Sequence, residues 1–368
     1  MEITSLCFNA EDFTNFISFV KSMNSKDKSK YSKLVLLHAE KDKLVCKAVD
    51  GSAKFIEYCV DLYDSDNPIT ESFAVSINDL AVLVKCSSEE KFTIRKCFNQ
   101  YEFSIVGSGW HPFKTIEVED SKFKVKVGSE TFLGKINSCK LRNSIASVLG
   151  YTQEYTYARD KYIQFNKDKM VVTSRQSSVI TKDEFPEMTI HRDEAALLKS
   201  LLKDNFDLTV NRINNGNELL SFIGPRFKFT VTASGIDSVD VKYIDGITDY
   251  ITINGDELYK LVTLAEEYSA SKKIIGMLIK DGCLKVSVKN TLAARNSSIV
   301  NSIKVGDVKD TKVEAEVPSH SLLKSLKLFQ DKHSREINIY ITDEMLSEQN
   351  CIMMFDNNTQ AKINIYNR

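Results

Sequence analysis

The histidines and cysteines are the residues best suited to bind a metal or carry a covalent intermediate, and their spacing fits neither role. The five histidines form no HExxH pair, and none of the eight cysteines stands in a CxxC pair or at metal-ligand spacing to a histidine. The sequence contains no G-x-S-x-G nucleophile turn and no GxxxxGK(S/T) phosphate loop. We therefore expect a protein that is not an enzyme and that holds no metal or cofactor.

The charge balance excludes a generally polycationic nucleic-acid binder. Lys and Arg total 49 and Asp and Glu total 50 in 368 residues, which gives a net charge of −1. Such a balance still allows one basic face that is offset by acidic residues elsewhere. Apolar residues make up 42% and charged residues 27%, which is typical of folded globular proteins.

The cellular compartment is predicted from membrane-spanning and secretory signals in the sequence. No stretch approaches the roughly 20 apolar residues that span a bilayer, and the N-terminus has no basic segment followed by an apolar run. We expect a cytoplasmic protein with reduced cysteines and no membrane partner.

A short pattern recurs six times: a strand end, a capping residue, one or two acidic or polar residues, and an apolar helical stripe. The copies begin at Phe8, Val75, Val127, Ile190, Ile253 and Val317. Asn9, Ser76, Ser129, Asn254 and Ser319 are residue types that cap helices, so the pattern predicts six helices. In the third copy, the helix would begin after Ser129 and include Phe132 and Ile136.

Runs of five to eight residues rich in Val, Ile, Phe and Tyr follow the helices and predict strands. Each copy is therefore interpreted as a β-α-β-β-β half. We predict an α+β protein of three similar domains, 1–120, 121–245 and 246–368, each with two halves and both helices on one face of a joined sheet. No flexible linker marks the boundaries, which favours a rigid arc.

The chain length and the repeat of β-α-β-β-β halves resemble those of the beta sliding clamp family of bacterial DNA polymerase III. One local match is Phe165–Ser178, in which Thr173 matches a residue of the family's turn. Two others are Val317–Phe329, which resembles the last helix, and Ala361–Tyr366, which resembles the final strand. The resemblance implies two head-to-tail copies that close a ring of six domains around duplex DNA. Helices would line the hole and sheets would form the outside.

In such a ring, basic side chains on the helices would contact DNA phosphates independently of the base sequence. Each lysine alone is typical of an exposed helix face, and the sixfold recurrence favours a joint role. The implied positions are Lys21 on the first helix, Lys26 and Lys28 after it, Lys85 on the second, Lys135, Lys140 and Arg142 on the third, Arg192, Lys199 and Lys203 on the fourth, Lys260 on the fifth, and Lys324 and Lys327 on the sixth.

The resemblance also implies a cleft between domains two and three, in which family members hold a short apolar motif of polymerase and loader subunits. Ser178 stands where the family usually has an apolar residue, and Val241, Ile363 and Ile365 could equally be strand core. The implied cleft residues are Arg142, Thr173, Arg175, Ser178, Val179, Val241, Tyr243, Ile275, His320, Ser321, Met345, Ile363, Ile365 and Tyr366.

We predict a DNA sliding clamp that tethers a replicative polymerase. Its partners would be duplex DNA, a DNA polymerase, a second copy of itself, and a clamp loader, since the chain has no nucleotide site of its own. Two alternatives remain open. One is a non-catalytic repeat scaffold that forms an open arc and binds protein or carbohydrate, and the other is an enzyme with an unrecognised carboxylate site.

Overall fold

The computed structural model describes residues 3–23, 31–51, 54–63, 68–86, 90–98, 100–105, 109–125, 128–152, 161–173, 177–214, 216, 218–233, 241, 243–247, 250–268, 274–280, 283–288, 299–304, 313–330, 336–341 and 351–364. The chain forms two compact units. Unit 1 is Met1–Arg142 with Asp193–Gly235, and unit 2 is Asn143–Arg192 with Ile236–Arg368.

Within the described ranges, six β-α-β-β-β halves follow one another, which confirms the predicted α+β fold. The first two halves are β1 (Thr4–Asn9), α1 (Ala10–Met23), β2 (Leu34–Glu40), β3 (Lys43–Asp50) and β4 (Lys54–Tyr63), then β5 (Phe73–Ser76), α2 (Ile77–Cys86), β6 (Lys91–Cys97), β7 (Gln100–Ile105) and β8 (Gly109–Phe113). A short strand, β9 (Thr115–Ile116), follows them.

The remaining four halves have the same element order. The middle pair is β10 (Ser129–Asn137), α3 (Ser138–Val148), β11 (Tyr162–Phe165), β12 (Lys169–Thr173) and β13 (Ser177–Lys182), then β14 (Met188–His191), α4 (Arg192–Leu201), β15 (Asp207–Asn214), β16 (Glu218–Ile223) and β17 (Phe227–Thr232). The last pair is β18 (Ile251–Asn254), α5 (Gly255–Tyr268), β19 (Ile274–Lys280), β20 (Cys283–Val288) and β21 (Ile299–Lys304), then β22 (Val313–Pro318), α6 (Ser319–Gln330), β23 (Glu336–Ile341), β24 (Cys351–Phe355) and β25 (Thr359–Asn364).

Sister halves exchange strands. The strand before α1, β1, pairs antiparallel with β6 of the second half, and β5 pairs with β2 of the first. The sixth half exchanges with the fifth in the same way, through β18 with β23 and β22 with β19. In the middle pair, β10 joins β15 and β14 joins β11. Two halves therefore cannot separate without breaking backbone ladders.

The sheets also continue past the predicted domain boundaries. Within unit 1, β17 pairs with β4, and within unit 2, β13 pairs with β25. The segment between residues 121 and 245 thus contributes strands to both units. The boundaries at 120 and 245 stay a prediction.

Helix starts were predicted well where an asparagine precedes the helix. The Oδ1 atom of Asn9 accepts a hydrogen bond from the Asp12 amide at 2.9 Å, and Asn254 Oδ1 accepts from the amides of Asp256 and Glu257 at 3.0 and 3.2 Å. These bonds satisfy amides that have no partner within the first helical turn. Asn9 and Asn254 are therefore confirmed as N-caps.

The expectation of a helix after Ser129 was wrong. Ser129–Asn137 is strand β10, which pairs with β15 along its length apart from a bulge between Phe132 and Gly134. The helix begins at Ser138 instead, and Asn137 Oδ1 accepts from the Lys140 amide at 3.1 Å. Ser129 is therefore not a cap, Phe132 is exposed on a strand, and Lys135 lies on β10 rather than on a helix.

Lys203 is a second correction. The fourth helix ends at Leu201, so Lys203 follows it and is not part of it.

None of the helices in the described ranges is long and apolar enough to cross a membrane.

The segment after β8 is fixed to the sheet of unit 1. Strand β9 pairs with β5, and the side chain of Phe123 is fully buried in a cluster with Leu34, Leu36 and Phe55. Burial of a whole phenyl ring removes a large apolar area from water. The chain between the first and second predicted domains is therefore part of the core.

We predict that Phe123→Ala lowers the free energy of unfolding of unit 1 by about 3–5 kcal/mol, because it leaves a cavity in a packed core. Urea denaturation followed by the fluorescence of Trp110, the chain's single tryptophan, measures this. The control Val118→Ala changes a partly buried side chain of the same segment and should cost far less. Equal midpoints for both variants would contradict the packing role of Phe123.

Candidate nucleic-acid surface and peptide cleft

Each of the six helices carries at least one of the basic residues expected from the sequence. Lys21, Lys85, Lys260 and Lys327 are exposed, whereas the other helical positions are half-buried. The helical set is Lys21 on α1, Lys85 on α2, Lys140 and Arg142 on α3, Arg192 and Lys199 on α4, Lys260 on α5, and Lys324 and Lys327 on α6. Lys26 and Lys28 lie outside the described residues.

Unit 1 brings two of these residues together. Arg142 Nη1 donates to the carbonyl oxygen of Lys203 at 3.1 Å, and Lys203 Nζ donates to Oδ1 of Asn15 on α1 at 2.8 Å. Lys203 lies beyond its helix, yet it is held beside both α1 and α3. Two positive side chains are therefore fixed next to the helix that carries Lys21.

Unit 2 holds a pair of interacting cations. The Arg192 guanidinium donates to the Thr152 carbonyl oxygen at 2.8 Å, which fixes it near the end of α3. Burial lowers the pKa of Lys324 below its usual value, and the nearby positive charge of Arg192 lowers it further. A phosphate between two such cations would offset their repulsion.

The cleft residues of the second predicted domain meet the final strand in one eight-stranded sheet of unit 2. Ser178 on β13 lies opposite Thr173 on β12 and opposite Lys362 on β25. Directly opposed residues of antiparallel strands project from the same face, so these three side chains form one row. We call Thr173, Ser178 and Lys362 the cleft row.

A parallel row two residues away is covered. Val171, Ile180 and Gln360 lie opposite one another on β12, β13 and β25, and each is at most 1% exposed. The connecting segment, of which Val241 and residues 243–245 are described, meets this row at Ile244. Gln360 Nε2 donates to the Ile244 carbonyl at 2.5 Å, and its Oε1 accepts from the Ile244 amide at 2.9 Å.

Lysines anchor the connecting segment at both of its ends. Lys169 Nζ donates to the Val241 carbonyl oxygen at 3.3 Å. Lys182 Nζ pairs with Asp245 at 2.6 Å and lies 3.9 Å from the ring centroid of Tyr243. Val241 and Tyr243, two of the expected cleft residues, are therefore held beside Lys169 and Lys182, on the far side of the covered row from the cleft row. The members of the cleft row are half-buried.

Other expected cleft residues lie elsewhere. Val179 and Ile363 are fully buried and alternate with Ser178 and Lys362, so they project from the opposite face of the sheet. Ile275 is buried in the four-stranded sheet of β19–β22.

Two expected cleft residues begin α6. The Ser321 hydroxyl lies 3.3 Å from Nε2 of its neighbour His320, and Ser321 is buried. Four further expected residues, Arg175, Met345, Ile365 and Tyr366, lie outside the described residues. Arg142 belongs to unit 1.

Lys362 and Gln360 are site residues that sequence reasoning missed. The alternation in TQAKIN predicts a strand with Gln360 and Lys362 on one face. The alternation does not show which strand pairs with this one, because the paired residues are about 180 positions apart in the sequence. Among the residues that the structure describes, no group of three or more His, Cys, Asp or Glu could hold a metal ion.

No protein-family model and no curated protein sequence matches the chain. Solved structures match along its whole length. The DNA polymerase sliding clamp of Bacillus subtilis is 12% identical with a TM-score of 0.79, and the match covers 100% of both chains. The chain has the fold of the bacterial beta sliding clamp.

Two further clamps with bound molecules show the same likeness. The sliding clamp of Pseudomonas aeruginosa bound to griselimycin is 14% identical with a TM-score of 0.79 and full coverage of both chains. The Helicobacter pylori beta clamp bound to a DNA ligase peptide is 10% identical with a TM-score of 0.77, covering 99% of this chain and 100% of that one. The clamp fold has therefore persisted here at very low sequence identity.

We predict that Gln360→Leu speeds hydrogen exchange at the Ile244 amide by about tenfold, because it removes both side-chain hydrogen bonds to the backbone of Ile244. The exchange rate is read by NMR. The comparison variant Lys182→Met removes an exposed ion pair to the same segment and should have a smaller effect. Unchanged exchange in Gln360→Leu would show that other contacts hold the segment.

Proposed function

We propose that this protein is a DNA sliding clamp that encircles duplex DNA and tethers a replicative polymerase. The observation that carries the proposal is a clamp fold along the whole chain with basic residues on every one of its six helices. Three clamp domains, 1–120, 121–245 and 246–368, would each contribute two helices to the DNA-facing surface. The protein would act in the cytoplasm without catalysing a reaction itself.

The mechanism is topological. A closed ring stays on DNA because it encloses the duplex, so individual phosphate contacts need only be weak and independent of sequence. The basic helical residues would keep the duplex centred while the ring slides. A clamp loader that hydrolyses a nucleotide would open the ring, because the sequence has no phosphate-binding loop.

Ring closure requires a second copy, and two strand edges support a head-to-tail contact. Within the described strands, β8 pairs with β7 alone and β21 pairs with β20 alone. An open edge presents unpaired backbone groups to another chain. We propose that β8 of one copy pairs with β21 of the other, and that the contact closes because it repeats twice around the ring.

The side chains of the β8 edge fit a buried contact. Trp110 lies on β8 with 38% of its surface exposed. The guanidinium of Arg95 lies 3.9 Å from its ring centroid and also bonds Glu102 at 2.6 Å. A stacked Trp–Arg pair is typical of protein–protein contacts.

We predict that the triple variant Lys85→Glu, Lys260→Glu, Lys327→Glu binds a 24-base-pair duplex more weakly, because all three exposed positions would face DNA phosphates. Its salt dependence should also flatten, by about 0.9 in the slope of log K against log salt for each phosphate that the variant no longer neutralises. Fluorescence anisotropy at several salt concentrations measures both effects. The matched control is Lys41→Glu, Lys122→Glu, Lys167→Glu, three exposed lysines outside the six helices. Equal weakening in both triples would mean that the helices have no special role.

We predict a particle of about twice 41.7 kDa for the wild-type chain and a monomer for Trp110→Glu, because a carboxylate on β8 would be buried in the contact. Small-angle X-ray scattering on an absolute scale gives mass and shape together. Phe132→Glu is the control, since Phe132 is also exposed, on the edge strand β10 at the other end of the same sheet. A wild-type monomer without a central hole would favour the open-arc scaffold.

A further inference from the structure

We propose that Lys324 and Arg192 form an anion site in unit 2, and that a phosphate oxyanion bound there ties α6 to the segment after α3. The inference rests on the proposed function, because we assign the backbone of duplex DNA as the source of the phosphate. It adds a form of regulation to that function: bound DNA would slow the local opening of α6.

The segment after α3 contacts both of the helices that carry these cations. The carbonyl oxygen of Thr152 accepts from the guanidinium of Arg192, the first residue of α4, at 2.8 Å. The neighbouring side chain of Tyr151 is buried, which raises its pKa, and the Ser325 hydroxyl of α6 partly offsets that rise. Tyr151 and Thr152 therefore join the start of α4 to the turn of α6 that carries Lys324.

The half-buried ammonium of Lys324 receives repulsion rather than compensation from its surroundings. Burial lowers the pKa of Lys324, and the positive charge of Arg192 lowers it further. Within the described ranges, the Lys324 side chain makes no ion pair or hydrogen bond. Helix α6 contains no Asp or Glu, and Glu194 on α4 pairs with Lys54. The folded chain thus holds a repulsion between α4 and α6 that a bound anion would offset.

The place of Lys324 on α6 makes a DNA phosphate the fitting anion. Lys324 and the exposed Lys327 are three residues apart, so they share one face of the helix. That face belongs to the basic helical set that we assign to DNA. The non-bridging oxygens of a phosphodiester can accept from an ammonium and a guanidinium at once, and such charge-assisted hydrogen bonds are strong. One phosphate would then link α4 to α6.

The test is hydrogen exchange of α6 in the full chain, read by mass spectrometry in chloride buffer, with a 24-base-pair duplex, and with inorganic phosphate at equal ionic strength. We expect the duplex and phosphate each to slow exchange in the wild type by about fivefold. Lys324→Met should exchange more slowly than the wild type in chloride, because the repulsion is gone, and neither anion should slow it further. Lys324→Arg should behave like the wild type. The matched control Lys327→Met removes an exposed charge from the same helix and should keep the slowing by phosphate.

The outcomes separate this inference from the proposed function. Equal slowing of α6 by the duplex in the wild type and in Lys324→Met would overturn the anion site and leave the clamp function intact. Faster exchange of Lys324→Met than of the wild type in chloride would also overturn it, because the ammonium would then stabilise α6. If phosphate slows α6 in the wild type alone and the duplex does not bind, the site takes free phosphate and the proposed function is overturned.

Discussion

Strand exchange between sister halves is the constraint on which the rest of the structure depends. A single β-α-β-β-β half has a helix on a small sheet and leaves much of its apolar face uncovered. When β1 pairs with β6 and β5 pairs with β2, each half completes the sheet of the other. The helix that follows each exchanged strand is then fixed at the point where the strand ends. The positions of the basic side chains on α1 and α2 follow from this pairing.

A second set of contacts joins described parts of the connecting segments to the sheets of their own units. In unit 1, Phe123 is buried with Leu34 and Phe55, and Arg226 pairs with both Asp12 and Asp61. In unit 2, Gln360 holds both backbone groups of Ile244. Each connecting segment is therefore tied to a sheet by buried apolar or hydrogen-bonding groups.

The sequence predicted features that depend on neighbouring residues and missed those that depend on distant ones. Asn9 and Asn254 were recognised as caps because a cap is read over four residues. Ser129 was misassigned because its segment pairs with β15, about 80 residues away, and tertiary pairing overrides a local capping pattern. Asn137, directly before α3, is a capping residue type and marks the true start of that helix. It was missed because the repeat spacing placed the helix start after Ser129.

The same division applies to the candidate site. The basic positions implied by the resemblance on α1, α2, α5 and α6 do lie on those helices. Lys203 lies beyond α4, because that helix ends at Leu201. Ser178 was noticed as a polar residue in an apolar place. Its cross-strand neighbour Lys362 is about 180 residues away in the sequence, so no local pattern links the two. Thr173, Ser178 and Lys362 come onto one face only through the pairing of β13 with β12 and β25, which the folded sheet reveals.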